Sequence, residues 1–307
     1  MKIAVFGTGG VGGYFGARLA KAGADVHFIA RGRHLAAIRE NGLKIESALG
    51  ALTLKPAQAT DDPAAIGPAD LAIVAVKLYD TDAAVQAMQP LVGPETTVMS
   101  LQNGITAHDT LAEAFGRERL IGGSCQIAAV IGAPGVVRHT GTMASVAFGE
   151  WDGGRTPRVE ALLGACKKAG IDVTLSDNID AVIWSKFIFL SAFSGITCMM
   201  RLPVGPIRED PETRALHRRA MEEASAVARK KGVRLPDELI DQRMAFTDGL
   251  PAEMYASMYH DLMAGKRLEL NWLSGVVVRM GRALGVPTPA QESYWLALKL
   301  HADGRQD

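Results

Sequence analysis

"KIAVFGTGGVGGYFGARLAKAGADVHFIARGRH", residues 2–34, decides how the fold is read. A short β-branched and apolar run, KIAVF (2–6), leads straight into a glycine-rich turn, the turn opens a helical pattern, and a second apolar run, DVHFIA (25–30), follows. Gly7, Gly9 and Gly12 stand in G-x-G-x-x-G spacing. Between a strand and a helix start, glycine permits a tight turn and lets backbone N–H groups approach a pyrophosphate at the positive helix end. The loop Gly7, Thr8, Gly9, Gly10, Val11 and Gly12 is therefore read as a dinucleotide cradle. Taken alone the spacing is only a glycine-rich turn; the strand, helix and second strand in register give it that meaning.

The end of the second strand selects the dinucleotide. An NAD-preferring site usually places Asp or Glu there, to accept from the ribose 2′-hydroxyl. Here Arg31 stands in that place, with Arg33 and His34 close behind. Such a group favours a 2′-phosphate and hence NADPH; the plain alternative is an exposed basic turn.

Working outward, DLAIVAVK (70–77) and TTVMSL (96–101) read as further strands, with helical patterns between several of the runs. Continuous apolar strands of this kind belong to a parallel sheet covered on both faces. The N-terminal part is thus expected to be α/β, a Rossmann-type doubly wound sheet. LIGGSCQIAAVIGA (120–133), GVVRHTG (135–141) and MASVAFGE (143–150) suggest three more strands, RVEALLGACKKAG (158–170) a helix, and IDVTLS (171–176) a last strand. Beyond residue 176 only helices are expected: DAVIWSKFIFLSAFSGITCMM (180–200), a long segment from Asp210 and Pro211 to Gly232, PAEMYASMYHDLMAG (251–265) and LELNWLSGVVVRMGRALG (268–285). In the last, Leu270, Leu273, Val276, Val277, Met280 and Leu284 share one helical face. The boundary is a change of architecture: a dinucleotide-binding domain over 1–176 and an all-α domain over 177–307.

Composition narrows the partners. The 33 basic and 33 acidic residues cancel and form no dense block, which leaves out the electrostatic footprint of a nucleic-acid or anionic-membrane binder. A small-molecule partner is expected. Cys125, Cys166 and Cys198 are odd in number and far apart, so neither a disulfide framework nor a CxxC metal or redox site is expected; a cytoplasmic setting fits. The N-terminus enters a strand at once and does not read as a signal peptide. The run 180–200 is long enough for a membrane span, but Asp180, Lys186, Ser191, Ser194 and Thr197 favour a buried helix. The long helical domain offers surface for a homodimer.

Two polar residues close the other strands. Lys77 ends LAIVAVK and Asn103 ends VMSLQNG, at the carboxyl edge where open parallel sheets bind ligands. Each has a structural alternative, a surface strand cap for Lys77 and an ordinary Asn-Gly turn for Asn103.

With these residues in place, the chain resembles the ketopantoate reductase (2-dehydropantoate 2-reductase) family over essentially its whole length. The resemblance is carried by the glycine loop with Arg31, the VAVK and LQNG strand ends, the WSK at the helix start, the SM at 257–258, and LELNWLSG with GVPTP near the end. It implies reduction of an α-keto acid by NADPH in the pathway to pantothenate and coenzyme A. Lys186 would be the general acid toward the C2 carbonyl oxygen, and Glu269 its neighbouring carboxylate. Burial would draw the lysine toward neutrality while the carboxylate holds its proton. Glu269 otherwise reads as a favourable dipole contact at a helix start. Asn103 and Ser257 would hold the substrate, Asn103 also reaching the nicotinamide ribose, and Lys77 would lie beside the nicotinamide.

The chain departs from the family at two substrate positions. Asparagines commonly follow the catalytic lysine at four and eight positions, on the same helical face. Here those places hold Leu190 and Ser194. Ser194 keeps a donor and an acceptor; Leu190 keeps neither, so the substrate is less firmly implied than the reaction. Reductases of this fold acting on other small carbonyl or imine substrates, and a non-catalytic NADPH-binding sensor, are the alternatives; retention of both Lys186 and Glu269 counts against the sensor.

Overall fold

A computed structural model describes residues 1–305. The chain divides into two compact units, Met1–Val182 and Ile183–Asp307. The division falls inside a helix rather than at residue 176, where the strands end.

The first unit contains, in order, β1 (Lys2–Phe6), α1 (Gly10–Lys21), β2 (Asp25–Ile29), α2 (Gly32–Asn41), β3 (Leu43–Glu46), β4 (Leu52–Leu54), β5 (Gln58–Thr60), β6 (Leu71–Val74), α3 (Thr81–Met88), β7 (Thr97–Ser100), α4 (Thr106–Phe115), β8 (Leu120–Ala133), β9 (Val136–Gly149), α5 (Pro157–Lys168) and β10 (Asp172–Leu175). The strands form one sheet in the order β4-β3-β9-β8-β7-β6-β1-β2-β5, with β10 also paired to β9. From β5 to β8 every pairing is parallel; β8 and β9 are antiparallel.

Successive residues of the central strands serve opposite faces. Ile3 and Val5 join Leu71 and Ile73 in a core with Phe15 of α1 and Leu162 of α5. Ala4 and Phe6 join Ala72 and Val74 in a second core with Met88 of α3 and Leu111 of α4. Two covered faces are what make these strands apolar without alternation. The sheet is the doubly wound Rossmann type read from the sequence.

Three short strands, β3 to β5, were not expected. The expected pair GVVRHTG and MASVAFGE is one strand, β9, interrupted where Gly141 takes φ +75°. On β8, Ile127 faces Ala144 but Ala129 faces His139, so the residues around Gly141 bulge out opposite Ala128.

The second unit holds helices and no strand among the described residues. Helix α6 (Ile179–Met200) starts in the first unit and continues into it, followed by α7 (Val204–Glu209), α8 (Pro211–Lys230), α9 (Leu239–Asp248), α10 (Ser257–Met263), α11 (Ser274–Leu284) and α12 (Pro289–Leu298). Among the described residues α6 alone is long and apolar enough to cross a membrane, and 67% of its most apolar window is buried inside the protein. Gly195 lets the Tyr294 ring lie against α6, since a Cβ there would stand 2.2 Å from the ring. The start of α8 is as read: the Asp210 carboxylate accepts from the Glu212 and Thr213 amides, ahead of Pro211. The expected helix over 251–265 shrinks to α10, and that over 268–285 breaks at Leu273 (φ −105°, ψ −100°) into a 3-10 turn, Leu270–Trp272, and α11. Helices α7, α9 and α12 were not anticipated. The Glu223 side chain of α8 caps α12 by accepting from the Ala290 and Gln291 amides at 2.8 and 2.9 Å.

Candidate active site

The glycine loop is pinned at one end and open at the next. Gly7 takes φ +103°, and a Cβ there would lie 2.8 Å from the Ala75 backbone. The Gly7 and Thr8 amides and the Thr8 hydroxyl all donate to the Ile29 carbonyl, tying the loop to the end of β2. At Gly12 a Cβ would stand 2.2 Å from the Gly7 carbonyl oxygen, so helix and strand approach only because it is absent. Gly10 is equally tight, against the Ala129 carbonyl of β8 at 2.0 Å.

Gly9 differs: a Cβ there would meet nothing within 4 Å. It caps α1, whose first turn has no acidic residue and no side-chain cap, while Val11 is half-buried behind it. The first amides of a helix lack intrahelical acceptors. An open backbone with such amides fits a pyrophosphate.

Arg31, Lys77 and Asn103 leave the same carboxyl edge as this loop. Phe6 of β1 is level with Ile29 of β2 and with Val74 of β6, and Val74 with Ser100 of β7. Four neighbouring strands therefore end in Arg31, the glycine loop, Lys77 and Asn103, at the point where the chain passes from one side of β1 to the other. This is where open α/β sheets bind ligands. Arg31 is exposed, in extended conformation at the start of α2, and makes no ion pair among the described residues. Lys77 and Asn103 are half-buried. Gln102, not singled out from the sequence, steadies the edge: its amide donates to the Thr81 hydroxyl at 2.9 Å and its oxygen accepts from Ser100 at 3.1 Å.

His34 does not join Arg31 and Arg33 as a cation. Its Nδ1 accepts from the Gly135 amide at 3.0 Å, and its Nε2 lies 2.9 Å from the Thr8 carbonyl oxygen, where only an N–H can bond. Together the two contacts fit the neutral Nε2–H ring; burial pushes its pKa below the usual value, while the Thr8 bond raises it. The basic group expected at the end of β2 is reduced to the two exposed arginines.

The remaining expected residues lie in the second unit. Lys186 is half-buried on α6, among the buried Trp184, Phe187 and Ile188, rather than enclosed as the apolar run suggested. Four and eight positions on, Leu190 is half-buried and Ser194 fully buried, with its hydroxyl unpartnered among the described residues. The Thr197 hydroxyl donates to the Phe193 carbonyl of its own helix. Ser257 is the exposed first residue of α10.

Glu269 is 4% exposed and stands before the 3-10 turn, whose Trp272 and Leu273 amides bond to its carbonyl. It is therefore not in the first turn of α11, and the helix-dipole alternative loses its footing. A carboxylate buried this far requires a counter-charge or donors. Ser274, in the same segment and unremarked in the sequence, is fully buried with its hydroxyl unpartnered. Among the described residues no cluster of His, Cys, Asp and Glu could hold a metal ion.

Known proteins are similar to this chain over nearly its whole length. Residues 3–153 match the family model described as ketopantoate reductase PanE/ApbA, and residues 178–302 match that of its C-terminal region. An uncharacterized oxidoreductase of Bacillus subtilis is 30% identical, covering 98% of this chain and 99% of its own. A 2-dehydropantoate 2-reductase of Mesorhizobium japonicum is 33% identical over 94% of both chains. The crystal structure of a 2-dehydropantoate 2-reductase from Geobacter metallireducens superposes with a TM-score of 0.91 at 33% identity, covering 98% of this chain and 99% of that one. On these matches of sequence and fold, the chain belongs to the ketopantoate reductase PanE/ApbA family.

Proposed function

We propose that the protein is an NADPH-dependent 2-dehydropantoate 2-reductase, reducing the α-keto acid to the 2-hydroxy acid on the route to pantothenate and coenzyme A. The observation that carries the cofactor choice is Arg31, an unpaired guanidinium at the end of β2 where an acidic residue would mark NAD. It presents a planar fork of donors suited to a 2′-phosphate, with Arg33 beside it. The substrate reading rests on family membership and on relatives bearing that name, in Mesorhizobium japonicum and Pyrococcus horikoshii.

Bound NADPH supplies a hydride to the carbonyl carbon. The chain's own part is to receive the charge that then develops on oxygen. Lys186 donates a proton to that oxygen, giving the hydroxyl. Glu269, a carboxylate with only 4% exposure, orients the lysine for donation. Asn103 and Ser257 hold the polar ends of the substrate, and Lys77 accompanies the nicotinamide. The glycine loop fixes the pyrophosphate through the open backbone at Gly9. The three cysteines are free and buried, which supports a reducing, cytoplasmic setting.

A second reading keeps the reaction and changes the keto acid. It is favoured by Leu190, half-buried where the family commonly has an amide. Steady-state oxidation of NADPH and of NADH with ketopantoate and a panel of other α-keto acids tests both. Highest kcat/KM for ketopantoate with NADPH is expected; a distinctly better keto acid with an apolar side chain would establish the second reading.

A further inference from the structure

His34 joins three segments that are distant in sequence. It lies on α2; its Nε2 meets the Thr8 carbonyl of the glycine loop, and its Nδ1 meets the amide of Gly135 at the turn of the β8–β9 hairpin. Thr8 is otherwise committed: its amide and hydroxyl both go to Ile29, leaving its carbonyl for the imidazole. Gly135 is held on its other side by the Lys44 amide, which donates to its carbonyl at 2.9 Å. The next loop residue after Thr8 is Gly9, where the backbone is open. The hairpin also presses on the same helix start, through the Ala129 carbonyl against Gly10. The imidazole thus connects Thr8 of the glycine loop to Gly135 at the hairpin turn.

The two contacts specify a protonation state. A carbonyl oxygen can only accept, so Nε2 carries a hydrogen; an amide N–H can only donate, so Nδ1 carries a lone pair. The ring is the neutral Nε2–H tautomer. Adding a proton at Nδ1 sets N–H against N–H at 3.0 Å and breaks the hairpin contact. We propose that His34 is a positioning residue for the dinucleotide loop, clamping Thr8 to Gly135 while neutral and releasing the hairpin when protonated, so that dinucleotide affinity falls with acidification.

Burial lowers the pKa of His34, opposed by the Thr8 bond, and no charged neighbour contributes. On its own helix Arg31 and Arg33 are exposed, and Arg39 is bonded to Ala59 and Asp61. The glycine loop and the first turn of α1 carry no charge. On the hairpin and β3, Arg138 and Lys44 are both paired with Glu46. His139 is engaged with Ser47 and the Met143 carbonyl.

The inference rests on the reading of the glycine loop as a dinucleotide site, and the experiment separates the two. NADPH is titrated by fluorescence into the full-length protein from about pH 8 to about pH 5, for wild type, His34→Gln and His34→Ala. A glutamine offers one donor and one acceptor and does not titrate. His34→Ala should bind NADPH roughly tenfold more weakly at the upper end, about the value of one to two lost hydrogen bonds. His34→Gln should recover most of that loss. Its affinity should then fall less with acid than that of wild type, the 2′-phosphate titration being common to both. Parallel pH curves for wild type and His34→Gln, or undiminished binding by His34→Ala, would overturn the clamp. Failure of wild type to bind any nicotinamide dinucleotide near pH 8 would instead overturn the reading of the loop, and the proposal with it.

Discussion

Acidification should strip stability from both units through two histidines that the proposed chemistry does not use. His108 on α4 is 5% exposed and packs edge-on against Trp151; His217 on α8 is 2% exposed, 3.3 Å from the Thr247 hydroxyl. Burial is the main reason each is pushed down from 6.5 to about 4. At His108 the Asp109 charge opposes that shift, and at His217 Arg214 adds to it. A depressed folded pKa means that the folded state binds the proton less readily than the unfolded chain. The contribution is therefore complete above about pH 6.5 and is lost progressively as the pH falls toward about 4. A gap of roughly 2.5 units is worth about 3 kcal/mol per histidine when fully expressed, and about 2 kcal/mol near pH 5. His108→Gln and His217→Gln should each flatten the acid limb of stability against pH in urea unfolding, whatever they cost near neutrality. Proton NMR of the imidazole Cε1–H gives the direct reading, and titration midpoints near 6.5 in the folded protein would refute the reasoning for that residue.

Three substitutions test the cofactor and substrate sites. Gly12→Ala places a methyl 2.2 Å from the Gly7 carbonyl oxygen and should reduce NADPH affinity at least tenfold, read by fluorescence titration, whereas unchanged binding would remove the close approach from the account. Arg31→Asp should narrow or reverse the preference for NADPH over NADH, measured as the ratio of kcat/KM values; an unchanged ratio would return Arg31 to an ordinary exposed turn. Leu190→Asn should reorder the α-keto acids by kcat/KM while NADPH affinity stays near wild type; ready unfolding of this variant would make Leu190 a packing residue.

The parts legible in the sequence are those written in local pattern. The glycine spacing, the continuous apolar runs of β1, β6 and β7, and the Asp210–Pro211 helix start each carry their own signal, and the structure has each of them. What was missed depended on distant partners. Helix α12 buries Ala290, Gln291, Tyr294 and Leu298, so a polar glutamine occupies the face that an apolar stripe would mark. Helix α9 buries Thr247 beside Leu239 and Met244 for the same reason. Strands β3 to β5 are three or four residues long, too short for alternation to show. His34 read as a cation because its neighbours in sequence are arginines, while its partner Gly135 lies 101 residues on. Lys186 read as enclosed because a helix of 22 residues with few charges looks buried all round; the structure leaves its side half-buried.

The central claim is that Lys186 donates the proton in an NADPH-dependent keto-acid reduction, and comparing wild type with Lys186→Ala tests it most directly. The measurement is NADPH oxidation with ketopantoate at saturating cofactor, alongside NADPH affinity and thermal stability of the same preparations. The account predicts measurable turnover in wild type and a loss of roughly a hundredfold to ten-thousandfold in kcat for the variant, with NADPH affinity and folding near wild type. Wild-type turnover matched by Lys186→Ala, or no oxidation of NADPH by wild type with any α-keto acid, would contradict it.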